Sequence, residues 1–394
     1  MLITGEFIKG CIQSIGEFSK FMLSPKKTQV IFAAPQHFNR DVNGKNPYFE
    51  KFIKCCEDKG IPYLKFESPE YGSTQPHDPT AIRIDFIFWL MMLLRKIFIK
   101  TYSGNIRKAE RAVAKTVNII TFGKLKVPCY ITMAGLFIEM FQEMCPDSTV
   151  CDLQHGIIYA KHPGYFDKNN NLSGSLNAPN CKILVWGEKF RDLFLKSCSN
   201  DNISEKINVI GYPIEQVKKA KISTRKNIIL FSLQFSPDLK PEELTEYKAM
   251  LDEAVKEVSS SGYHIKLKHH PRYSDVIDIS DILEKYQNVE ITTQSLYELA
   301  TECILHVTWY STTVFEYASY GVPSYILSDE KHLLGKDIFY NQFKYPLFED
   351  MSITDVIGLI EDSNKNDELG TTLQVWYEQL YSPFREDVAF SILS

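Results

Sequence analysis

The stretch Cys303-Ile304-Leu305-His306-Val307-Thr308-Trp309-Tyr310-Ser311-Thr312-Thr313-Val314-Phe315-Glu316-Tyr317-Ala318-Ser319-Tyr320-Gly321-Val322-Pro323 reads as a buried strand, a polar turn and a short helix. Gly321 and Pro323 stop the helix, and residues 324–327 open another strand. The turn sets three hydroxyl residues at a helix N-terminus, where unpaired backbone N–H groups and the helix dipole favour an anion. A phosphate-sized turn between a strand and a helix points to a phosphate or nucleotide.

Working upstream, the pattern stays regular. Residues 227–233 predict a strand, 241–259 a helix, 263–268 a strand, 275–286 a helix, 289–292 a strand and 295–301 a helix. The helix at 241–259 carries its apolar stripe on Tyr247, Met250, Leu251, Ala254, Val255 and Val258, one helical face. Such alternation predicts a parallel sheet of about five strands with right-handed crossovers. Ligands of open α/β sheets bind at the carboxyl ends of the strands. Three polar stretches fall there: Ser232-Leu233-Gln234, His269-His270-Pro271-Arg272, and Tyr310-Ser311-Thr312-Thr313. A histidine fixed by the next proline, flanked by Lys268 and Arg272, suits a phosphate. Of the tandem pair, His270 is the one expected in the site. Thr313 and Glu316 have capping-box spacing, so Glu316 either satisfies its own helix or accepts from ribose hydroxyls.

The first half of the chain alternates strand and helix as well. An amphipathic helix over residues 1–26 precedes strands at 30–34 and 61–66, with a helix at 47–59 between them and Gly60 as its stop. Residues 74–115 read as mostly helical, 117–121 and 129–133 as short strands, and 136–144 as a helix. His37 sits in the polar stretch Gln36-His37-Phe38-Asn39-Arg40, just past the carboxyl end of the first strand. The strand at 148–154 runs into Gln154-His155-Gly156, and a loop carrying His162 follows. Gly156, Pro163 and Gly164 make a helix there unfavourable. A loop histidine at a strand end suits a general base, because its ordinary pKa lies near working pH. Strands at 182–186 and 207–210 complete this half. A lysine-rich linker then separates residues 1–212 from 227–371, with 213–226 between them and 372–394 as a closing helix.

The chain has 394 residues, a length that suits two domains. Its net charge of -5 argues against a protein dedicated to nucleic acid. Nine scattered cysteines without a CxxC pair, and no signal peptide, point to a reducing cytoplasm. His269 and His270 lack cysteine partners at zinc spacing, so no metal is expected. The apolar segment 82–99 is too interrupted by Asp85, Arg95 and Lys96 to span a bilayer. It is either a buried helix or a membrane-docking one, with Lys96, Lys100, Arg107 and Lys108 extending the contact through residue 108.

In this order, the motifs resemble those of GT-B type transferases that build bacterial surface polymers: teichoic-acid glycerophosphate polymerases, capsule Kdo transferases and polysialyltransferases. Gln154-His155-Gly156 is similar to the family's histidine-glycine motif, Gly211-Tyr212-Pro213 to the turn before the interdomain linker, His270-Pro271 to its HP motif, and Tyr310-Ser311-Thr312 with Phe315-Glu316 to its hydroxyl-rich motif. The resemblance covers roughly residues 150–327 as ordered motifs. It implies two Rossmann-like doubly wound domains facing across a cleft, and a sugar transfer from a nucleotide-activated donor, CMP or CDP favoured, to a cell-surface glycan or glycolipid. By the same analogy the acceptor side is the N-terminal domain, with His155 as base and His37, Gln154, Gly156 and His162 around the acceptor. Donor contacts are implied for Ser232, Gln234, His270, Pro271, Arg272, Tyr310, Ser311, Thr312, Thr313 and Glu316, His270 also acting on the leaving phosphate without a metal cofactor. Gln154 stands where the teichoic polymerases carry tryptophan, and Thr312 where many relatives carry serine. The first departure favours a sugar or sialic/Kdo-type transferase over a glycerophosphate polymerase, and the same-fold alternative is a polyol-phosphate or ribosyl-phosphate transferase. A non-catalytic nucleotide- or sugar-binding subunit of an assembly complex is the other reading.

Overall fold

The computed structural model describes residues 5–24, 27–40, 43–70, 76–199, 202–214, 227–236, 239–270 and 276–394. The chain forms two compact units, one of Met1–Glu215 with Tyr381–Ser394 and the other of Gln216–Leu380.

The first unit holds a seven-stranded sheet. Its strands are β1 (Val30–Pro35), β2 (Tyr63–Ser68), β3 (Ile82–Arg83), β4 (Cys129–Met133), β5 (Thr149–Leu153), β6 (Cys181–Val185) and β7 (Ile207–Val209), in the order β3-β2-β1-β4-β5-β6-β7. All pairs are parallel. Such strands are covered on both faces, so they read as unbroken apolar runs rather than alternating ones. Val30, Ile31, Phe32 and Ala33 are accordingly all buried. The helix Glu50–Lys59 ends at Gly60, whose φ of 66° lets its N–H reach the Cys56 and Glu57 carbonyls.

The second unit contains β8 (Ile228–Ser232), β9 (His264–Lys268), β10 (Val289–Ile291), β11 (Leu305–Thr308) and β12 (Ser324–Ile326), in the parallel order β10-β9-β8-β11-β12. Its helix Pro241–Ser259 starts on a proline, whose missing N–H costs nothing in the first turn, and buries Leu251, Ala254, Val255 and Val258. In each sheet, two chain-adjacent crossovers diverge between the middle strands. These topological switch points lie between β1 and β4 and between β8 and β11, where ligands of doubly wound sheets bind.

Two expectations are corrected. Residues 117–121 are not a strand but the end of the helix Ile106–Ile120. Asn105 caps that helix through Lys108 N–H, and its buried stripe of Ala109, Val113, Ala114 and Val117 overrides the β-branched ending. The closing segment is two helices, Ser363–Leu380 and Glu386–Leu393. Between them the chain crosses Gly211, whose φ is +80° and where a Cβ would stand 2.0 Å from the Pro383 carbonyl oxygen. Tyr212 N–H bonds to Ser382 O at 2.9 Å and Arg385 N–H to Ile210 O at 2.8 Å. This crossing accounts for the glycine of Gly211-Tyr212-Pro213.

The apolar segment at 82–99 becomes the helix Asp85–Thr101, which buries Asp85, Ile87 and Met91 on one face. Met92, Leu93 and Ile97 are exposed on another. Among the described residues no helix is long and apolar enough to cross a membrane.

Candidate functional site

In the second unit, His306 stands in the middle of β11, fully buried. Its register partners are Leu230 on β8 and Ser324 on β12. Its ring joins three elements: Nδ1 to Ser324 Oγ at 2.9 Å, Nε2 to Ser232 Oγ at 2.9 Å, and Nε2 to Thr313 Oγ1 at 3.3 Å. The ring stacks on Tyr317, with centroids 4.4 Å apart and planes at 7°. Burial drives its pKa down to about 3, so the ring is neutral, one nitrogen donating and the other accepting.

Above this hub the carboxyl ends of β8 and β11 are tied by Gln234. Its Oε1 accepts from Tyr310 N–H at 2.7 Å and from the Thr308 hydroxyl at 3.2 Å. The side-chain oxygen is therefore identified by its backbone donor, and the amide N–H₂ is left to donate elsewhere. The single Thr308 hydroxyl hydrogen is shared between the Gln234 oxygen and Ser232 O, 3.1 Å away. Ser311 Oγ accepts from Thr313 N–H at 3.3 Å, and Ser311 and Thr312 are both half-buried. The Ser232, Gln234 and Tyr310–Thr313 stretches thus meet at one switch point.

Thr313 does not form the expected capping box. The helix Thr313–Ser319 begins at Thr312 without a side-chain cap, and the Thr313 hydroxyl turns inward to His306. Glu316, half-buried, lies on the first turn of that helix. His270 follows β9 by two residues, at the carboxyl edge beside β8, and is half-buried. Pro271 and Arg272 lie outside the described residues.

In the first unit, His155 follows β5 by two residues. Its Nδ1 is buried and makes no hydrogen bond of ordinary geometry. Burial lowers its pKa to about 4, opposed by a contact with the Leu153 backbone. Gln154 is fully buried with both ends of its amide in use: Oε1 accepts from Trp186 N–H at 2.9 Å, and Nε2 donates to Gly156 O at 2.9 Å. It is therefore no acceptor contact but the brace of the His155 loop. Gly156 has nothing within 4 Å of a would-be Cβ, so packing does not demand a glycine there. His162 accepts at Nδ1 from Gly164 N–H at 3.1 Å and sits between the Tyr159 and Tyr165 rings, centroids 4.8 and 5.3 Å away. Those contacts give it a place in shaping its own loop. His37 lies just past β1, its Nδ1 against Glu70 Oε2. The Phe38 ring lies 4.1 Å from the His37 ring and 5.1 Å from that of His155.

Sequence reasoning passed over His306 and Glu70. A lone histidine within Ile304-Leu305-His306-Val307, flanked in the sheet by serines, was the available signal for the first. Glu70 has none, because its partner is 33 residues away.

No family model and no curated protein matches this chain. Solved structures do match along nearly the whole length. A variant of the wall teichoic acid polymerase TagF superposes with a TM-score of 0.53 at 13% identity, over 100% of this chain and 97% of that one. A mutant of S. aureus TarM, in complex with UDP among other ligands, gives 0.54 at 11%, over 93% and 99%. The UDP-GlcNAc 2-epimerase from Neisseria meningitidis, bound to UDP-GlcNAc, gives 0.51 at 12%, over 93% and 99%. An epimerase among the neighbours means that the architecture alone does not choose the reaction. What the likeness establishes is the fold: this chain is a two-domain α/β protein of the GT-B type.

Proposed function

We propose that this protein is a glycosyltransferase that takes a sugar from a nucleotide-activated donor, of CMP or CDP type, to a growing cell-surface glycan. The observation carrying the reading is the convergence of Ser232, Gln234 and Tyr310–Thr313 at the switch point of the second sheet, with the Gln234 oxygen spent on Tyr310 N–H. A donor phosphate there would take hydrogen bonds from Gln234 Nε2 and from the Ser311 and Thr312 hydroxyls. His270, as a ring N–H donor, and Arg272, by its charge, would meet the leaving phosphate, so no metal enters the scheme. The TarM and epimerase structures hold UDP and UDP-GlcNAc, and a TagF structure was soaked with CDPG. Those ligands support a nucleotide as the group recognised here.

The acceptor hydroxyl is deprotonated, in this reading, by a histidine at the carboxyl edge of the first sheet, for which the motifs named His155. A polyol-phosphate transfer would use the same donor half-site. Turnover with a panel of CMP-, CDP-, UDP- and GDP-linked sugars and with CDP-linked glycerol separates the two. Sugar transfer from one member supports the proposal, and transfer from CDP-glycerol alone replaces it with the polyol reading. No turnover of any member, with no nucleotide bound, removes both.

In this reading the acceptor is met at an anionic membrane surface. Residues 85–126 carry nine Lys and Arg against two Asp and Glu, in a chain of net charge -5. Those two acids are already paired, Asp85 with Arg83 and Glu110 with Arg95. Beside the basic groups stand Leu93, Ile97, Ile106, Ile119 and Phe122, exposed by 39, 48, 59, 72 and 86%. Basic charge bordering exposed apolar side chains favours an anionic bilayer interface.

A further inference from the structure

A general base needs an orienting partner, and of the three histidines named on the acceptor side, His37, His155 and His162, His37 is the one seen against a carboxylate among the described residues. His37 sits on the single turn Gln36–Phe38 that follows β1, at the switch point beside β4. Glu70 Oε2 receives both the His37 backbone N–H, at 3.2 Å, and the His37 ring at Nδ1. A carboxylate oxygen that already accepts from an amide can take only a donor from the ring, so Nδ1 carries the hydrogen and Nε2 the lone pair. The two side chains are 11 and 15% exposed, sheltered but reachable.

The turn is held rigidly enough to aim that nitrogen. Asn39 Nδ2 donates to Glu67 Oε2 at 2.5 Å and to Pro76 O at 3.0 Å. Glu67 also meets His77 Nδ1 at 2.5 Å and Asp78 N–H at 2.9 Å, and Asp78 pairs with Lys65 at 2.5 Å, both buried. Arg40 Nε donates to His37 O at 3.4 Å, and its guanidinium lies 5.5 Å from the Phe38 ring centroid. Among the described residues the charged and titratable groups around His37 include Glu70, Arg40, His155 and, further along the network, the Glu67–His77 pair.

Resting on the transferase reading above, we infer that His37, oriented by Glu70, is the residue that takes the acceptor's proton, and that His155 is a wall of the same pocket. The acceptor O–H bond breaks, and its proton passes to His37 Nε2. The freed pair forms the bond from the acceptor oxygen to the transferred sugar carbon. The bond from that carbon to the donor phosphate breaks, its pair leaving on the nucleotide. The imidazolium so formed stands against the Glu70 carboxylate, which stabilises it. Among the described residues His155, half-buried like His37, is seen against no carboxylate, and its buried Nδ1 has no hydrogen bond of ordinary geometry to orient the ring.

The test compares His37→Asn, Glu70→Gln and His155→Asn on full-length protein, using the donor identified by the panel. His37→Asn should lower kcat by about 10²-fold or more, with donor KM changed by less than about threefold. Glu70→Gln should lower kcat by roughly 10-fold and move the midpoint of His37, followed by imidazole NMR, down by about 1 unit or more. That titration is read without turnover, on variant protein whose fold is checked by the dispersion of the same spectra, so it separates loss of the pair from loss of structure. His155→Asn, a change in the pocket wall, should act on acceptor KM and leave the pH dependence of kcat as in the wild type. A His37 midpoint unmoved by Glu70→Gln, or a His155→Asn variant that is dead while His37→Asn is active, overturns the assignment while leaving the donor site intact. Absence of nucleotide binding to the wild type overturns the transferase reading and this inference together.

Discussion

Replacing His306 with leucine tests whether the donor half-site is built on that ring. The substitution leaves the Ser324 and Ser232 hydroxyls in the core without their 2.9 Å partners, one fully buried and the other 7% exposed. Each stranded hydroxyl costs about 1–3 kcal/mol, and the lost stack on Tyr317 about 0.5–1.5 kcal/mol. The sum, roughly 2.5–7.5 kcal/mol, is a large part of the ~5–15 kcal/mol that holds an ordinary domain together. Urea unfolding read by ¹⁹F-tryptophan NMR separates Trp309 and Trp376, in the second unit, from Trp89 and Trp186, in the first. The transition at Trp309 and Trp376 should move to lower urea. Adding Ser232→Ala and Ser324→Ala to the leucine variant removes the stranded hydroxyls and should recover about half of the loss, since apolar replacement of both partners is nearly neutral. A leucine variant that loses less than ~1 kcal/mol, or serine substitutions that add to the loss instead of relieving it, would refute the hub.

Acid should weaken the second unit first. A buried histidine with a depressed pKa contributes stability above its unfolded value of 6.5, and loses it as the unfolded chain takes up protons on the way down to its folded value. His306, at about 3, and His155, at about 4, both act in that direction. Asp152 acts oppositely: burial pushes it up to about 7, so its unit gains stability as pH falls from 7 toward 3.8. Between pH 6.5 and 5 the first unit is therefore offset, whereas the second loses roughly 1–2 kcal/mol, visible in the same urea experiment. Gly211→Ala should free the C-terminal segment, because a Cβ there collides with Pro383, and limited proteolysis should then cut near residue 381. Sedimentation with vesicles should show binding to anionic lipid that fails on neutral lipid, weakens with salt, and drops in Leu93→Glu, Ile97→Glu and Phe122→Glu together. Equal binding to neutral vesicles, or none to anionic ones, removes the membrane assignment.

Much of the architecture was legible because parallel strands buried on both faces leave continuous apolar runs, and proline or glycine marks where some helices start or stop. Val30 to Ala33 and Ile228 to Phe231 are such runs, and Pro241 and Gly60 such marks. The misread stretch, Val117 to Ile120, has β-branched residues whose local preference loses to the stripe that the helix buries. At the site, the strand ends could be named because topology places them, but the use of each side chain could not. Gln154 looked like a ligand contact and is a brace, Thr313 looked like a cap and bonds the core, and His306 looked like filler and joins three elements. These partners come from neighbouring strands or loops, and spacing along the chain carries no trace of them.

The most direct test of the donor site is calorimetric titration of CMP, CDP, UDP and GDP into wild-type protein and Gln234→Glu. The glutamate keeps an oxygen for Tyr310 N–H and replaces the amide donors with negative charge, so the loops stay tied while a phosphate is repelled. One of these nucleotides should bind the wild type, and Gln234→Glu should weaken it by at least about 10-fold, with thermal stability unchanged. Failure of all four nucleotides to bind, or equal binding to the glutamate variant, would contradict the donor-site assignment.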